Sequence, residues 1–277
     1  MNLRLRPSAL LLAAVIAGGA AAQSRVAPPP DPADDALMSA AGFLSAHPDM
    51  DYRIKGMNAY RAKSFDDARR FFSRAAYYAD KPSQGMLGEM HWNGDGVPRD
   101  PVLAYIWMDL AAERGYRGFL RLREHYWDRL DEAQRARVAV EGPALYARYG
   151  DDAARPRYAV RLRATQRQFV GSRLGSSTQS VQVSVPTLAG YETIDGSKMF
   201  DERYWDPDKY FAWQDQIWMK PLVGRVDVGA IETLDADARI PKTAPQVDAP
   251  EPDVPEPDGD APGARAPAAA GGGRPAG

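Results

Sequence analysis

Between residues 65 and 127 the apolar positions recur at helical spacing. Ala68, Phe71, Ala75 and Ala76 share one face of a first helix, and Leu103, Trp107, Leu110 and Ala111 share one face of a second. Phe119, Leu122, Tyr126 and Trp127 mark a third, from Tyr116 to Asp128. Leu130–Gln134 reads as a loop entering a further helix, expected to reach Glu141 and to be broken by Gly142-Pro143. Period-two alternation begins only at Ser176–Leu188, where Val181, Val183 and Val185 predict a strand, and recurs at Val223–Ile231 around Val226 and Val228. Pro186 and Pro221 would hold such strands to edges or short pairs. Tyr204–Trp218 is dense in aromatics, and Pro207 is placed to open a helix capped by Asp206. From Asp235 onward large apolar residues almost vanish.

The helical segments repeat one another. Ala68, Phe71, Ala75 and Ala76 align with Ala104, Trp107, Ala111 and Ala112 at a constant step of 36 residues. The preceding helices match at a step of 32, from Gly56 to Gly88, so the upstream unit has a shorter turn at Ala62–Asp66. In the second unit Gly94 and Gly96 can adopt the positive backbone angles of a tight turn. Asp100 is placed to cap the next helix, Pro101 sits where its missing N–H costs nothing, and Gly115 suits a left-handed cap.

The stretch Leu87–Gly115, LGEMHWNGDGVPRDPVLAYIWMDLAAERG, resembles one Sel1-like repeat, a relative of the tetratricopeptide helix pair. Leu87-Gly88, Gly94, Gly96, Asp100, Ala104, Trp107, Ala111-Ala112 and Gly115 carry the resemblance, and Asp51 to about Asp80 reads as a hybrid first unit. It implies an all-α fold: a short right-handed stack of helix pairs. Around it we expect a small irregular or two-stranded C-terminal appendage and a disordered tail. The expected organisation is a signal peptide at 1–22, a linker and first helix at 23–50 and repeats at 51–150. A capping helix and aromatic-rich segment would fill 151–234, and the tail 235–277. The family further implies binding, not catalysis, with the first helix of each pair lining a groove. Arg53, Asn58, Arg61, Glu89 and His91 are the candidate polar contacts there.

Composition narrows the setting. Arg4 and Arg6, an apolar run Leu10–Ala17 and small residues at Ala20 and Ala22 read as a secretory signal cleaved before Gln23. The expected location is periplasmic or secreted, with no transmembrane segment after cleavage. No cysteine is present, which excludes disulfides, thiolate metal sites and a lipoprotein anchor. Arg155, Arg157, Arg161, Arg163, Arg167 and Arg173 occur without an intervening acid. They suit an anionic partner surface, or alternatively a solvated helix face, or the acidic tail folding back. No nucleic-acid partner is expected of an exported chain. The three histidines and the Asn93–Gly96 turn match no metal site, and no nucleophile, phosphate-loop or dinucleotide motif occurs. No residue is assigned to catalysis, a cofactor or a metal. The expected function is an interaction scaffold for an envelope protein. The alternative is a polysaccharide- or peptidoglycan-binding module whose Trp205, Trp213 and Trp218 rings lie exposed in one plane.

Overall fold

A computed structural model of the chain describes residues 41–169, 182–187, 190–195, 201–219 and 239–253. The proposed signal peptide, Arg173 and the expected strand at 223–231 lie outside these residues. Two helix pairs follow one another, α2 (Pro48–Arg61) with α3 (Phe65–Tyr77) and α4 (Lys81–Asn93) with α5 (Pro101–Ala112), and α6 (Arg117–Trp127) and α7 (Glu132–Tyr149) then both pack on α5. A short α1 (Ala41–Ala46) precedes them and α8 (Asp151–Phe169) packs on α7. A hairpin of β1 (Gln182–Thr187) and β2 (Gly190–Asp195) follows, then α9 (Glu202–Trp205) and α10 (Pro207–Trp218). The result is the all-α stack of helix pairs implied by the repeats.

The stacking follows from residue size. Gly88 lies against α5 so closely that a Cβ there would come 3.1 Å from the Ala104 carbonyl oxygen. Ala68, Ala75, Ala76, Ala104, Ala111 and Ala112 are all buried, so the small residues of each repeat mark where helices touch. The aromatic partner is shifted by one position. Phe71, the residue aligned with Trp107, is half-buried, and Phe72 beside it enters the core against Gly56. Asp100 caps α5 by accepting from the Val102 and Leu103 amides, and Asp131 and Gln134 form a reciprocal capping box at α7. Gly94, Gly96 and Gly115 have φ of 83°, 69° and 76°, as their turns require.

Three expectations change. First, α7 does not stop at Gly142-Pro143 but continues to Tyr149. Pro143 can give no amide bond to the preceding turn, yet tertiary packing of Val138, Tyr146, Ala147 and Tyr149 holds the helix on both sides. Second, the strand at 182–187 forms, but its partner is 190–195. The pairing is antiparallel, from Gln182–Asp195 to Thr187–Gly190. Third, residues 239–253, within the expected disordered tail, lie on the helical body. Ile240 is buried against Gly142, where a Cβ would come 2.5 Å from the isoleucine side chain. The Gly142-Pro143 pair thus serves the docking of this strap, as Thr243 Oγ1 also donates to the Pro143 carbonyl at 3.1 Å.

Candidate functional site: the face of the first helices

The first helices α2, α4 and α6 begin under α10 and end away from it. Tyr210 donates to Asp49 at 2.5 Å, Tyr116 donates to Asp215, Phe119 meets Trp218 at 6.4 Å, and the Arg53 guanidinium lies 5.9 Å from the Trp218 ring. These partners belong to the first turns of α2 and α6, and the start of α4, at Lys81 and Pro82, borders the same crevice as Gln214 and Trp218. α10 forms as anticipated, with Pro207 in its first turn and Asp206 accepting from the Asp208 and Lys209 amides.

Beneath α10 the helix ends are joined by buried charges. Lys81 contacts Glu113 at 2.9 Å and Asp151 at 3.0 Å, and Arg114 grips the same Asp151 through two bonds of 2.7 and 2.9 Å. Two cations thus meet two carboxylates, and the Lys81 and Arg114 charges hold Asp151 well below the usual carboxylate range despite its burial. Arg53 pairs with Asp80, whose pKa burial lifts to about 6 against the pull of the arginine. Asp49 is likewise raised by burial. The crevice among Asp49, Lys81, Arg114, Tyr116, Gln214 and Trp218 has space for about one water molecule, too little for an organic substrate. This network joins α4, α5, α8 and α10. The sequence reading missed it, although Asp80-Lys81, Glu113-Arg114 and Asp151 all stand at helix ends beside apolar runs, where interior charges are most easily paired.

The aromatic segment is also a joint. Tyr204, Trp205, Tyr210 and Phe211 are buried. His47 stacks on Phe43 at 3.9 Å, with Trp205 and Tyr210 at 5.4 and 5.2 Å. Trp213 packs edge-on to Tyr204 and Tyr210. Trp205, Trp213 and Trp218 therefore do not form an exposed plane for a sugar, and the polysaccharide reading loses its surface. Both His47 ring nitrogens face carbonyls, those of Phe43 and Tyr204, at 2.9 and 2.8 Å. A protonated ring would donate to both, but burial prevails and lowers the pKa to about 4.

The candidate contact residues divide. Arg53 is 3% exposed and bound within the joint, so it is not a groove residue. Asn58 and Arg61 are exposed, with Arg61 donating to Asn58 at 3.3 Å. His91 is half-buried, and its pKa is lowered chiefly by burial. Glu89 is half-buried, and burial followed by the Asp95 charge raises its carboxyl pKa. Tyr60 donates to Asp95 at 2.6 Å, a bond that pushes the phenol up to about 12. Trp92 stacks on Tyr126 at 4.1 Å, and both stand near this acidic pair at the C-terminal ends of the first helices.

The arginine run does not form one patch. On α8, Arg157 is 8% exposed and turned into the protein, and Arg155 lies over Phe211 at 4.3 Å. Arg161, Arg163 and Arg167 are exposed. Arg157 does meet the tail, but through the tail's backbone and not its acids.

Among the described residues no helix is long and apolar enough to cross a membrane, and no group of three or more His, Asp or Glu is placed to hold a metal ion. Residues 82–116 match the family model of the Sel1 repeat. No curated protein and no solved structure matches the chain. The matched segment coincides with α4, its glycine turn, α5 and the Gly115 cap, and these repeats are helical modules of protein–protein interaction. Residues 82–116 of the chain therefore form a Sel1 repeat.

Proposed function

We propose that the protein is an exported scaffold of the cell envelope that binds a partner protein through the part of the first-helix face left open by α10. The observation that carries this reading is Glu89. It is a half-buried carboxylate beside Asp95, bordered by Tyr60, Trp92 and Tyr126, at helix ends whose dipoles add negative potential. Such a surface favours a lysine or arginine of the partner, whose charge would relieve the Glu89–Asp95 repulsion and whose stem would lie on the rings.

A photo-crosslinking residue at Asn58 tests the surface, with the exposed Val140 of α7 as the control position. Discrete adducts should form from Asn58 and fall about tenfold with Glu89→Lys, a loss of about 1.4 kcal/mol. Equal labelling from both positions, or labelling indifferent to Glu89→Lys, rejects the reading. Export is tested separately by the mass and fraction of the mature chain. A product beginning at Gln23 in the periplasm or medium supports it, and an intact N-terminus in the cytosol refutes it.

A further inference from the structure

Residues 239–253 are held unlike any other described segment. Arg157, on α8, donates to the carbonyls of Gln246 at 2.6 Å and Val247 at 2.9 Å, while its other bonds go to the body's own Tyr77 and Arg148 carbonyls. The guanidinium also lies 3.8 Å from the Tyr77 ring. Tyr77 donates to the Ala249 carbonyl, Arg148 donates to the Pro250 carbonyl at 2.7 Å, and the Gln246 amide donates to the Ala147 carbonyl. The ends are tied by ion pairs, Arg239 to Glu124 at 2.6 Å and Arg74 to Glu251 at 2.5 Å. Only Ile240 brings a large apolar side chain, into the notch at Gly142.

We propose that the channel formed by α3, α7 and α8 is a peptide-binding site, occupied in cis by residues 239–253. In trans it would accept an extended, proline-rich acidic peptide of a partner. Two features support exchange over permanent packing. Recognition falls on main-chain carbonyls, which any extended chain presents, so the site reads conformation more than side chains. Proline-rich segments are already extended and lose little entropy on docking. Partly buried ion pairs of Arg239, Lys242 and Glu251 with the body add to these contacts and favour an occupant with the same charge pattern. The occupant implied by the strap carries an aliphatic anchor and, eleven residues later, an acid in the places of Ile240 and Glu251. This surface is separate from the first-helix face, so the two proposals stand or fall independently.

The test uses the full chain and a fluorescent synthetic peptide of residues 239–253, read by anisotropy. Ile240→Asp should release the strap, and the opened chain should bind the peptide at least about tenfold more tightly than the wild type, whose site is filled at high effective concentration. Adding Arg157→Met should abolish that gain. An opened chain that stays folded by circular dichroism yet binds no better than wild type overturns the proposal, as does binding insensitive to Arg157→Met. Hydrogen exchange on the unmutated chain gives a second reading if Ile240→Asp unfolds. The Gln246 amide should exchange markedly faster than the amides of α3 and α7. Equal protection would mean that the strap opens only with the whole domain, and would overturn the proposal.

Discussion

The α4–α5 pair and the segments that cover the array are held by different kinds of contact. Between α4 and α5, Gly88 meets Ala104 and Met108 directly, and Leu87 and Met90 of α4 and Ala104, Met108 and Ala111 of α5 are buried at helical spacing. At the joints single polar groups add to the packing: Tyr210 on Asp49 beneath α10, Arg114 on Asp151 between α5 and α8, and Arg157 on two strap carbonyls. Apolar packing is non-directional and spread over many atoms, so no one residue decides it. A buried ion pair concentrates its effect in one partner, because the other is left as an uncompensated charge. The repeat should therefore tolerate conservative changes, while the joints should fail at particular residues.

The largest effect should come from Arg114→Met. It leaves Asp151 buried with Lys81 alone and frees the Ala79 carbonyl that Arg114 contacts at 3.1 Å. We expect a loss of about 3–5 kcal/mol in chemical denaturation. A volume-conserving Leu110→Met within the repeat should cost below about 1.5 kcal/mol. Equal losses at the two sites would remove the contrast.

The second effect separates the joint from the repeat by pH. The native His47 ring protonates near pH 4, the unfolded one near 6.5. Between these values the unfolded state binds more protons, so stability falls as pH drops from about 6.5 to about 4. The loss attributable to this ring is roughly 3 kcal/mol. The difference in unfolding free energy between wild type and His47→Gln cancels the other titrating groups and should narrow by that amount across the window. A pH-independent difference would show that the native ring takes up a proton as readily as the unfolded one.

The smallest effect tests the turn between α2 and α3. Lys63 has φ of 61°, a left-handed conformation that costs a side-chain-bearing residue energy and glycine almost none. Lys63→Gly should raise stability by about 0.5–1 kcal/mol, measured as a higher denaturation midpoint. No gain would mean that the glycine's extra freedom in the unfolded chain offsets the relief.

Much of the helical array is legible along the chain, because the signals are local. Asp100 followed by Pro101, the glycines at 94 and 96, and the alanines at a 36-residue step each dictate backbone geometry or contact distance within a few residues. The placement of α10 was legible in part, since Asp206-Pro207 announces a helix start. What α10 covers was not. Arg53 looks like a groove residue until Asp80 and Trp218 are brought to it, and Arg157 looks like its neighbours Arg161 and Arg163 until the strap crosses it. Gly142-Pro143 reads as a breaker because its local cost is visible and its gain, room for Ile240, comes from nearly a hundred residues away. Periodicity and turn chemistry act through neighbouring bonds, so the sequence by itself determined the helix pairs and their order. Charge pairing and strap docking depend on which distant groups become neighbours when water is excluded, so only the tertiary structure decided which charges are glue and which surface stays open.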